Sequence, residues 1–440
     1  MNFDEAVSYL YSLGHETLAL KLGLKTTEVL LSALGNPQTQ YPSVQIAGTN
    51  GKGSTAVVLD SICRAAGIQT GLFTSPHLVS ITERVRIDGL DISQELFAEL
   101  ASLVRETSDQ LVDSGEFSAP PTFFEQTTAI GLLAFERAKI ELAILETGLG
   151  GRLDSTTVAR AHTVGITPIA LDHQEYLGET LAEIAAEKAA IIREGATVVI
   201  GPQEPPALDV ILQRCASVKV IPRLSSFAAD DFFFTKDGRL RTTLTTSLDS
   251  YPDLTLGLLG RHQMANSALA IELAESLRDE GFDISKDAIA KGVEHACHPG
   301  RLEVIEGSPR VLLDGAHNPA GAHALRSYLD EFVSEPITMI FGAMRDKNLQ
   351  EMASTLFPRA SMLILTMPDN PRAASLETLL QLPAENRAVK LAPSAKAAFD
   401  LAIRESPADS LICVTGSLYL VGEVREFLSD RHLLKPGFDY

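Results

Sequence analysis

The stretch Pro42-Ser43-Val44-Gln45-Ile46-Ala47-Gly48-Thr49-Asn50-Gly51-Lys52-Gly53-Ser54-Thr55 decides the reading of this chain. Val44, Ile46 and Ala47 end a short apolar run suited to a buried strand. From Thr55 onward Ala56, Val57, Leu59, Ile62 and Cys63 recur with helical spacing. A glycine-rich turn between strand and helix presents backbone N–H groups at a helix N-terminus, where anionic oxygens bind. Gly48, Gly51 and Gly53 allow close backbone approach, Lys52 adds a point charge, and Ser54 or Thr55 can offer a hydroxyl to Mg²⁺. Gly48 and Gly51 are only three apart, shorter than the G-x-x-x-x-G-K-[ST] spacing. The stretch reads as a variant nucleotide-phosphate loop rather than an ordinary glycine turn.

Further strands end in polar residues. Gln69 to Phe73 reads as a strand running into Thr74-Ser75-Pro76-His77-Leu78, and Arg84 and Arg86 follow in a pattern suited to a half-exposed strand. Glu141 to Thr147 reads as a strand carrying Glu146 at its end, before Gly148-Leu149-Gly150-Gly151-Arg152-Leu153-Asp154. Val164 to Thr167 precedes Asp172-His173. Ser75-Pro76 alone suits a plain turn, and a lone His or Glu is more often structural. The place of Glu146, at a strand end before glycines, is unusual for a merely solvated charge. Together the phosphate loop, Ser75, Glu146 and His173 mark one edge of an open parallel α/β sheet, where ligands sit. Ser75, Glu146 and one imidazole make a sparse set suited to Mg²⁺, which keeps water and phosphate ligands.

The remaining segments alternate. Residues 3–34 read as helices before a Gly35-Asn36-Pro37 loop, and 94–112 as an amphipathic helix. Thr122 and Glu125 form a capping pattern opening a helix to about Lys139. Leu177 to Arg193 reads as one helix, in which Lys188 falls within about 20° of Leu177 in the apolar stripe. A lysine there must snorkel, pair, lose its proton or be modified. Residues 203–250 read as a mixed strand region, and a helix is expected from about Arg261 to Leu277. The break near Glu294–Gly300 suits a hinge between domains at 1–297 and 298–440. Strands are expected at Val311–Asp314, Ile337–Phe341, Met362–Thr366, Ala388–Leu391 and Leu411–Thr415, giving a second doubly wound sheet. Without G-x-G-x-x-G after its first strand, a dinucleotide-binding module is disfavoured there.

A chain of 440 residues needs more than one core. Its 45% hydrophobic and 21% charged residues are those of an ordinary globular enzyme. The net charge of −20 argues against nucleic acid or an anionic membrane as main partner. No signal-peptide pattern and no apolar run long enough to cross a bilayer is found. Cys63, Cys215, Cys297 and Cys413 lack zinc or redox spacing and read as reduced residues of a cytoplasmic protein.

These motifs resemble those of folylpolyglutamate synthase and dihydrofolate synthase, members of the Mur-ligase superfamily of ATP-dependent amide ligases. The resemblance runs through Leu34–Pro37, Ala47–Ser54, Ser75–Leu78, Thr122–Glu125, Glu146 with Gly148–Asp154, His173 with Leu177-Gly178, Glu187–Ala189, Pro299–Arg301, Asp314–Pro319 and Gly416–Tyr419. It implies an α/β fold of two domains, a P-loop-containing central domain of Mur-ligase type and a C-terminal Rossmann-like Mur-ligase domain. It implies ATP between them, on Asn50, Gly51, Lys52, Gly53 and Ser54, with Asn266, Arg301, Asp314 and His317 completing the site. It implies Mg²⁺ on Ser75, Glu146 and His173, and a carbamylated Lys188, so that Lys52, Lys188, His173 and Glu146 carry the catalysis. Dihydropteroate or a reduced folate would lie near Thr122, Phe123, Phe124, Glu125, Leu153, Asp154 and Ser155, L-glutamate would be the amine, and the enzyme would be a monomer. Asp154-Ser155-Thr156-Thr157 departs from the more usual Asp-Ala-Thr-Asn, Ala190 from a glycine, His298 from a tryptophan and Ala320 from a histidine. Another Mur-type ligase and a nucleotide-dependent switch ATPase are the rival readings.

Overall fold

A computed structural model describes residues 1–14, 23–235, 238–384 and 387–431 of the chain. Residues 15–22, inside the expected helical segment 3–34, lie outside the described residues. The chain forms two compact units. The first comprises Met1–Asp231, Thr242–Thr255 and Ala265–Ala296, the second Phe232–Arg241, Leu256–Met264 and Cys297–Tyr440.

The first unit is built on an eight-stranded sheet. Its strands are β1 (Ser43–Ala47), β2 (Thr70–Phe73), β3 (Val85–Ile87), β4 (Leu90–Asp91), β5 (Leu142–Glu146), β6 (Thr163–Ile166), β7 (Thr197–Ile200) and β8 (Arg223–Leu224). Their order is β4-β3-β2-β5-β1-β6-β7-β8. β1 pairs in parallel with β5 and β6, β2 pairs in parallel with β5, and β3 and β4 are antiparallel at one edge. β1, β2, β5 and β6 are buried throughout, so they lack the alternation of a half-exposed strand.

Helices α1 (Phe3–Ser12), α2 (Lys25–Ala33), α3 (Lys52–Ala65), α4 (Gln94–Asp113), α5 (Phe123–Ala138), α6 (Gln174–Leu177), α7 (Leu181–Ala189), α8 (Pro205–Ser217), α9 (His262–Asp279) and α10 (Lys286–His295) follow in chain order. Leu10, Leu30, Phe97 and Phe135 from α1, α2, α4 and α5 share one core with Phe73 and Leu145. Ile184 of α7 and Ile211 of α8 share another with Val164, Ile166 and Val198.

Four local readings need correction. Helix α3 begins at Lys52, three residues before the apolar periodicity shows it. The expected helix from Leu177 to Arg193 is broken: α6 ends at Leu177, Gly178 turns away with φ +114, and Thr180 caps α7 through a box with Glu183. Pro205-Pro206 open helix α8 inside the expected strand region, because proline at N1 lacks only an N–H that the helix leaves unpaired. Arg84 closes a 3₁₀ turn and is buried rather than half exposed.

Strands β9 (Ala228–Phe234), β10 (Leu240–Thr245) and β11 (Ser250–Thr255) form a three-stranded sheet in the order β11-β10-β9. The second unit's six-stranded sheet contains β12 (Glu303–Ile305), β13 (Arg310–Leu313), β14 (Ile337–Phe341), β15 (Met362–Leu365), β16 (Ala388–Leu391) and β17 (Leu411–Thr415). Their order is β12-β13-β17-β14-β15-β16, with only β12 antiparallel to its neighbour. The five strands expected in this third of the sequence all form. Among the described residues no helix is long and apolar enough to cross a membrane. Cys63, Cys215 and Cys413 are buried and, with Cys297, free thiols.

Two features of this scaffold are testable. A Cβ on Gly292 of α10 would lie 2.3 Å from the Ile62 Cα of α3, so α10 meets the phosphate-loop helix backbone to backbone. Gly292→Ala should cost about 2 kcal/mol or more in urea unfolding, since neither backbone can yield locally. Glu272 on α9 is fully buried, and burial, with Glu275 adding to it, pushes its carboxyl up to about 7 from an ordinary 4.5. A raised carboxyl contributes stability at low pH that is lost as pH rises through about 7. Glu272→Gln should therefore flatten the decline in melting temperature between pH 4.5 and 7, which a pH series of thermal melts reads directly.

Candidate active site

The loop from Gly48 to Gly51 leaves the C-terminal end of β1 in a conformation that only glycine supports. Gly48 has φ +153, and a Cβ there would lie 1.8 Å from Thr167 Oγ1. Gly51 has φ +85, and its missing Cβ makes room for the Asn266 amide, whose Oδ1 would lie 2.2 Å away. The Thr49 and Asn50 N–H groups both donate to the Pro168 carbonyl, at 3.0 and 3.2 Å. Thr49 Oγ1 donates to the Ala170 carbonyl at 3.1 Å and accepts from the Ala170 N–H at the same distance. The loop is thereby tied to the segment that carries His173. Gly51 sits at the N-cap of α3 and supplies no side-chain cap, which leaves the first turn open to an external anion. Lys52 Nζ donates back to the Thr49 carbonyl at 3.2 Å, holding its charge over the loop.

Lys188 comes to the same place from α7. Its side chain is buried, and Nζ donates to the Gly48 carbonyl at 2.7 Å. Burial first, then the charge of Lys52, brings its pKa down to about 7, against the opposing pull of Asp172 and Asp154. The single-helix projection was wrong, but the burial expected for Lys188 is real. The Gly148–Asp154 loop lies along the same helix: a Cβ on Gly151 would be 2.9 Å from both the Glu187 and Lys188 carbonyls. Arg152 N–H donates to the Glu187 carbonyl at 2.9 Å.

Glu146 ends β5, Ser75 lies shortly after β2 and His173 seven residues after β6, and with β1 these are four adjacent parallel strands. The segments that carry them therefore leave the same end of the sheet from neighbouring strands. Glu146 is buried, and its Oε2 accepts from the Ser75 N–H at 3.1 Å. His173 has φ +50, uncommon for a residue with a Cβ, and its N–H donates to Asp172 Oδ1 at 2.9 Å. Among the described residues no three His, Cys, Asp or Glu side chains gather as a metal cage.

The Thr122–Glu125 and Leu153–Ser155 segments are built by local capping. Glu125 accepts from the Thr122 N–H at 2.7 Å and its hydroxyl at 2.8 Å, while Thr122 Oγ1 accepts from the Glu125 N–H at 3.3 Å. Thr27 of α2, which carries no recognisable motif, donates towards Glu125 at 3.3 Å and Ser155 at 3.4 Å. Asp154 is fully buried and its carboxyl is raised by that burial, although it accepts from Leu149 N–H at 2.9 Å and Thr156 N–H at 3.0 Å. Gln45, the one amide in β1, donates to Thr156 and Thr157 at 2.9 and 2.8 Å. Of the two residues that depart from the usual pattern, Ser155 accepts from Thr27, and Thr157 accepts from Gln45 and donates to the Gly151 carbonyl at 2.8 Å. The Phe124 ring covers Gly148, where a Cβ would lie 2.4 Å from Cζ. Burial and the Arg84 charge hold the His77 imidazole well below the usual histidine range.

The sequence-predicted nucleotide residues divide between the units. Asn50–Ser54 and Asn266 belong to the first, Arg301, Asp314 and His317 to the second. In the second, Arg301 Nη1 reaches the Gly315 carbonyl at 3.3 Å and His317 Nδ1 the same oxygen at 2.9 Å. Asp314 accepts from Leu302 and Ala316 N–H groups at 2.9 and 3.0 Å, and burial raises its carboxyl against the charge of Arg301.

Residues 46–274 match the Mur ligase middle domain and residues 300–418 the Mur ligase glutamate ligase domain. The chain is 36% identical over 97% of its length to a probable bifunctional folylpolyglutamate synthase/dihydropteroate synthase of Haloferax volcanii, covering 50% of that protein. It spans about half the length of the bifunctional curated relatives it matches. It is 34% identical to the dihydrofolate synthase/folylpolyglutamate synthase of Bacillus subtilis, over 97% of this chain and 99% of that one. The structure of Mycobacterium tuberculosis folylpolyglutamate synthase complexed with ADP superposes with a TM-score of 0.89 at 31% identity, covering 97% of this chain and 98% of that one. With both ligase domains in sequence and a near full-length likeness in fold, the chain belongs to the Mur ligase family, in its folylpolyglutamate synthase/dihydrofolate synthase branch.

Proposed function

We infer that the protein is an ATP-dependent ligase that joins L-glutamate to dihydropteroate or to a reduced folate. The observation that supports this reading is that the phosphate loop and the segments carrying Ser75, Glu146 and His173 leave four adjacent parallel strands at the same end. The names of the full-length relatives, and the ADP in one of their structures, support the substrate class.

ATP is a substrate in this scheme. The pteroate or folate carboxylate attacks the γ-phosphorus, giving an acyl phosphate and releasing ADP. The α-amine of glutamate then attacks the acyl carbon, an amide forms, and phosphate leaves. Carboxylate and γ-phosphate are both anions, so their approach requires positive charge held in place beforehand. Lys52, fixed over the loop by its bond to Thr49, supplies it, and the uncapped first turn of α3 supplies N–H donors. The donor set of Ser75, Glu146 and His173 fits Mg²⁺, because so few protein ligands leave room for phosphate and water. When bound, Mg²⁺ would neutralise charge on the transferring phosphoryl group. Thr122–Glu125 and Leu153–Ser155 would take the pteroate end. The reading assigns the protein to the cytoplasm as a monomer without nucleic-acid partners, the last supported by a net charge of −20.

Lys188 has the chemistry for carbamylation. Its lowered pKa makes the neutral amine available near pH 7, and that form attacks CO₂ to give a carbamate and a proton. The carbamate nitrogen keeps one hydrogen, so the bond to the Gly48 carbonyl survives the change. The product places an anion beside the loop in place of a buried cation.

ADP release should depend jointly on a pteroate or folate and on L-glutamate; release that ignores both acceptors would overturn the ligase assignment. Lys52→Ala should lower kcat/KM by about a hundredfold or more while the melting temperature holds, since the lost interaction is with phosphate. Lys188→Ala should be nearly inactive, and mass spectrometry of the native protein in bicarbonate buffer should find Lys188 heavier by one carboxylate. An unmodified Lys188 in a fully active enzyme would refute the carbamate.

A further inference from the structure

We propose that His77 is a positioning residue for the folate substrate, bracing the Ser75 loop against helix α1 around the ring of Phe123. The proposal rests on the reading of Thr122–Glu125 as a wall of the folate site.

The loop from Thr74 to Arg84 is closed on itself. The Thr74 N–H donates to the Arg84 carbonyl at 3.1 Å. The Leu78, Val79 and Ser80 N–H groups donate into the Glu83 carboxylate at 2.8, 3.0 and 2.9 Å. Such a loop is rigid but must still be anchored to what surrounds it. Arg84 Nε donates to His77 Nδ1 at 2.7 Å. A guanidinium has no acceptor, so this ring nitrogen carries no proton. The ring proton therefore sits on Nε2, which faces Tyr11 Oη at 3.1 Å and donates to it. His77 thus links the loop to α1 through one acceptor and one donor on a rigid plane.

Both of its partners meet Phe123. The Tyr11 ring stacks on the Phe123 ring, centroids 5.6 Å apart and planes within 6°. The Arg84 guanidinium carbon lies 5.2 Å from the same centroid. Phe123 is the first residue of α5, directly after the Thr122 cap. Three segments distant in sequence therefore converge on one ring at the proposed folate wall. Tyr11 remains 41% exposed, so core burial does not explain where it lies.

H77N keeps an acceptor near the Nδ1 position and loses the link to Tyr11, while Y11F keeps the stacked ring and loses only the hydroxyl. Steady-state ADP release with dihydropteroate and with tetrahydrofolate should show KM for the folate substrate raised about tenfold in each variant. The fall in kcat should stay below about threefold, with ADP affinity by calorimetry unchanged. The double variant Y11F/H77N should be no worse than H77N, because both remove the same link. Should H77N fail to fold, Y11F, a substitution at an exposed position, carries the test. Unchanged folate KM in Y11F, fully additive effects, or an equal loss of nucleotide affinity would overturn the brace alone. A wild-type enzyme that releases no ADP in response to any pteroate or folate would overturn the functional reading, and the brace with it.

Discussion

The absence of a side chain at Gly48 is the constraint on which the site depends. The chain leaves β1 so close to the end of β6 that a single added carbon would meet the Thr167 hydroxyl at 1.8 Å. That approach lets the Thr49 and Asn50 N–H groups reach the Pro168 carbonyl. It also presents the Gly48 carbonyl to Lys188 at 2.7 Å. The phosphate loop, the segment leading to His173 and helix α7 are consequently held by one short run of backbone. Under the proposed ligase activity, phosphoryl transfer would depend on charge fixed before the reaction rather than reorganised during it, and this run of backbone would provide the fixing.

Local cation placement is how an acidic chain would handle the anionic substrates of the proposed reaction. The net charge is −20, yet Lys52 stands close enough to Lys188 to lower its pKa. Burial makes the second ammonium costly, so the position favours a neutral amine. Asp172 and Asp154 oppose that shift without cancelling it. The result is a lysine, Lys188, whose neutral form is within reach beside the loop that carries Lys52.

Capping does much of the remaining positioning. Reciprocal boxes at Thr122–Glu125, Ser80–Glu83 and Thr180–Glu183 begin a helix or turn at a defined residue. The first orients α5 with Phe123 and Phe124 at its start, the second closes the Ser75 loop, and the third restarts the helix that carries Lys188. Each uses hydrogen bonds within a few residues, so each holds irrespective of distant packing. Precision at the site is therefore assembled from short-range pieces, joined by a few long-range contacts such as Lys188 to Gly48.

By itself the sequence determined the features that depend on neighbours along the chain. The glycine spacing at 48–53, the Thr122 capping box, the buried strands and the polar residues at their ends were all legible, because strand burial and helix capping are short-range effects. So was the family motif set, whose ligase domains the chain contains. Local pattern misled where a break is silent to periodicity: Gly178 ends α6 inside an apparently continuous apolar stripe, and two prolines begin α8 rather than exclude it. Only the tertiary structure decided the contacts between distant segments. Thr27 near Glu125 and Ser155, Gln45 beneath Thr156 and Thr157, and Tyr11 with His77 and Arg84 carry no sequence signature. Their partners lie from 7 to 128 residues apart, and a single polar side chain does not specify which distant group will satisfy it. That choice belongs to the tertiary packing, which lays α1, α2 and α5 on one core and sets β2, β5, β1 and β6 side by side.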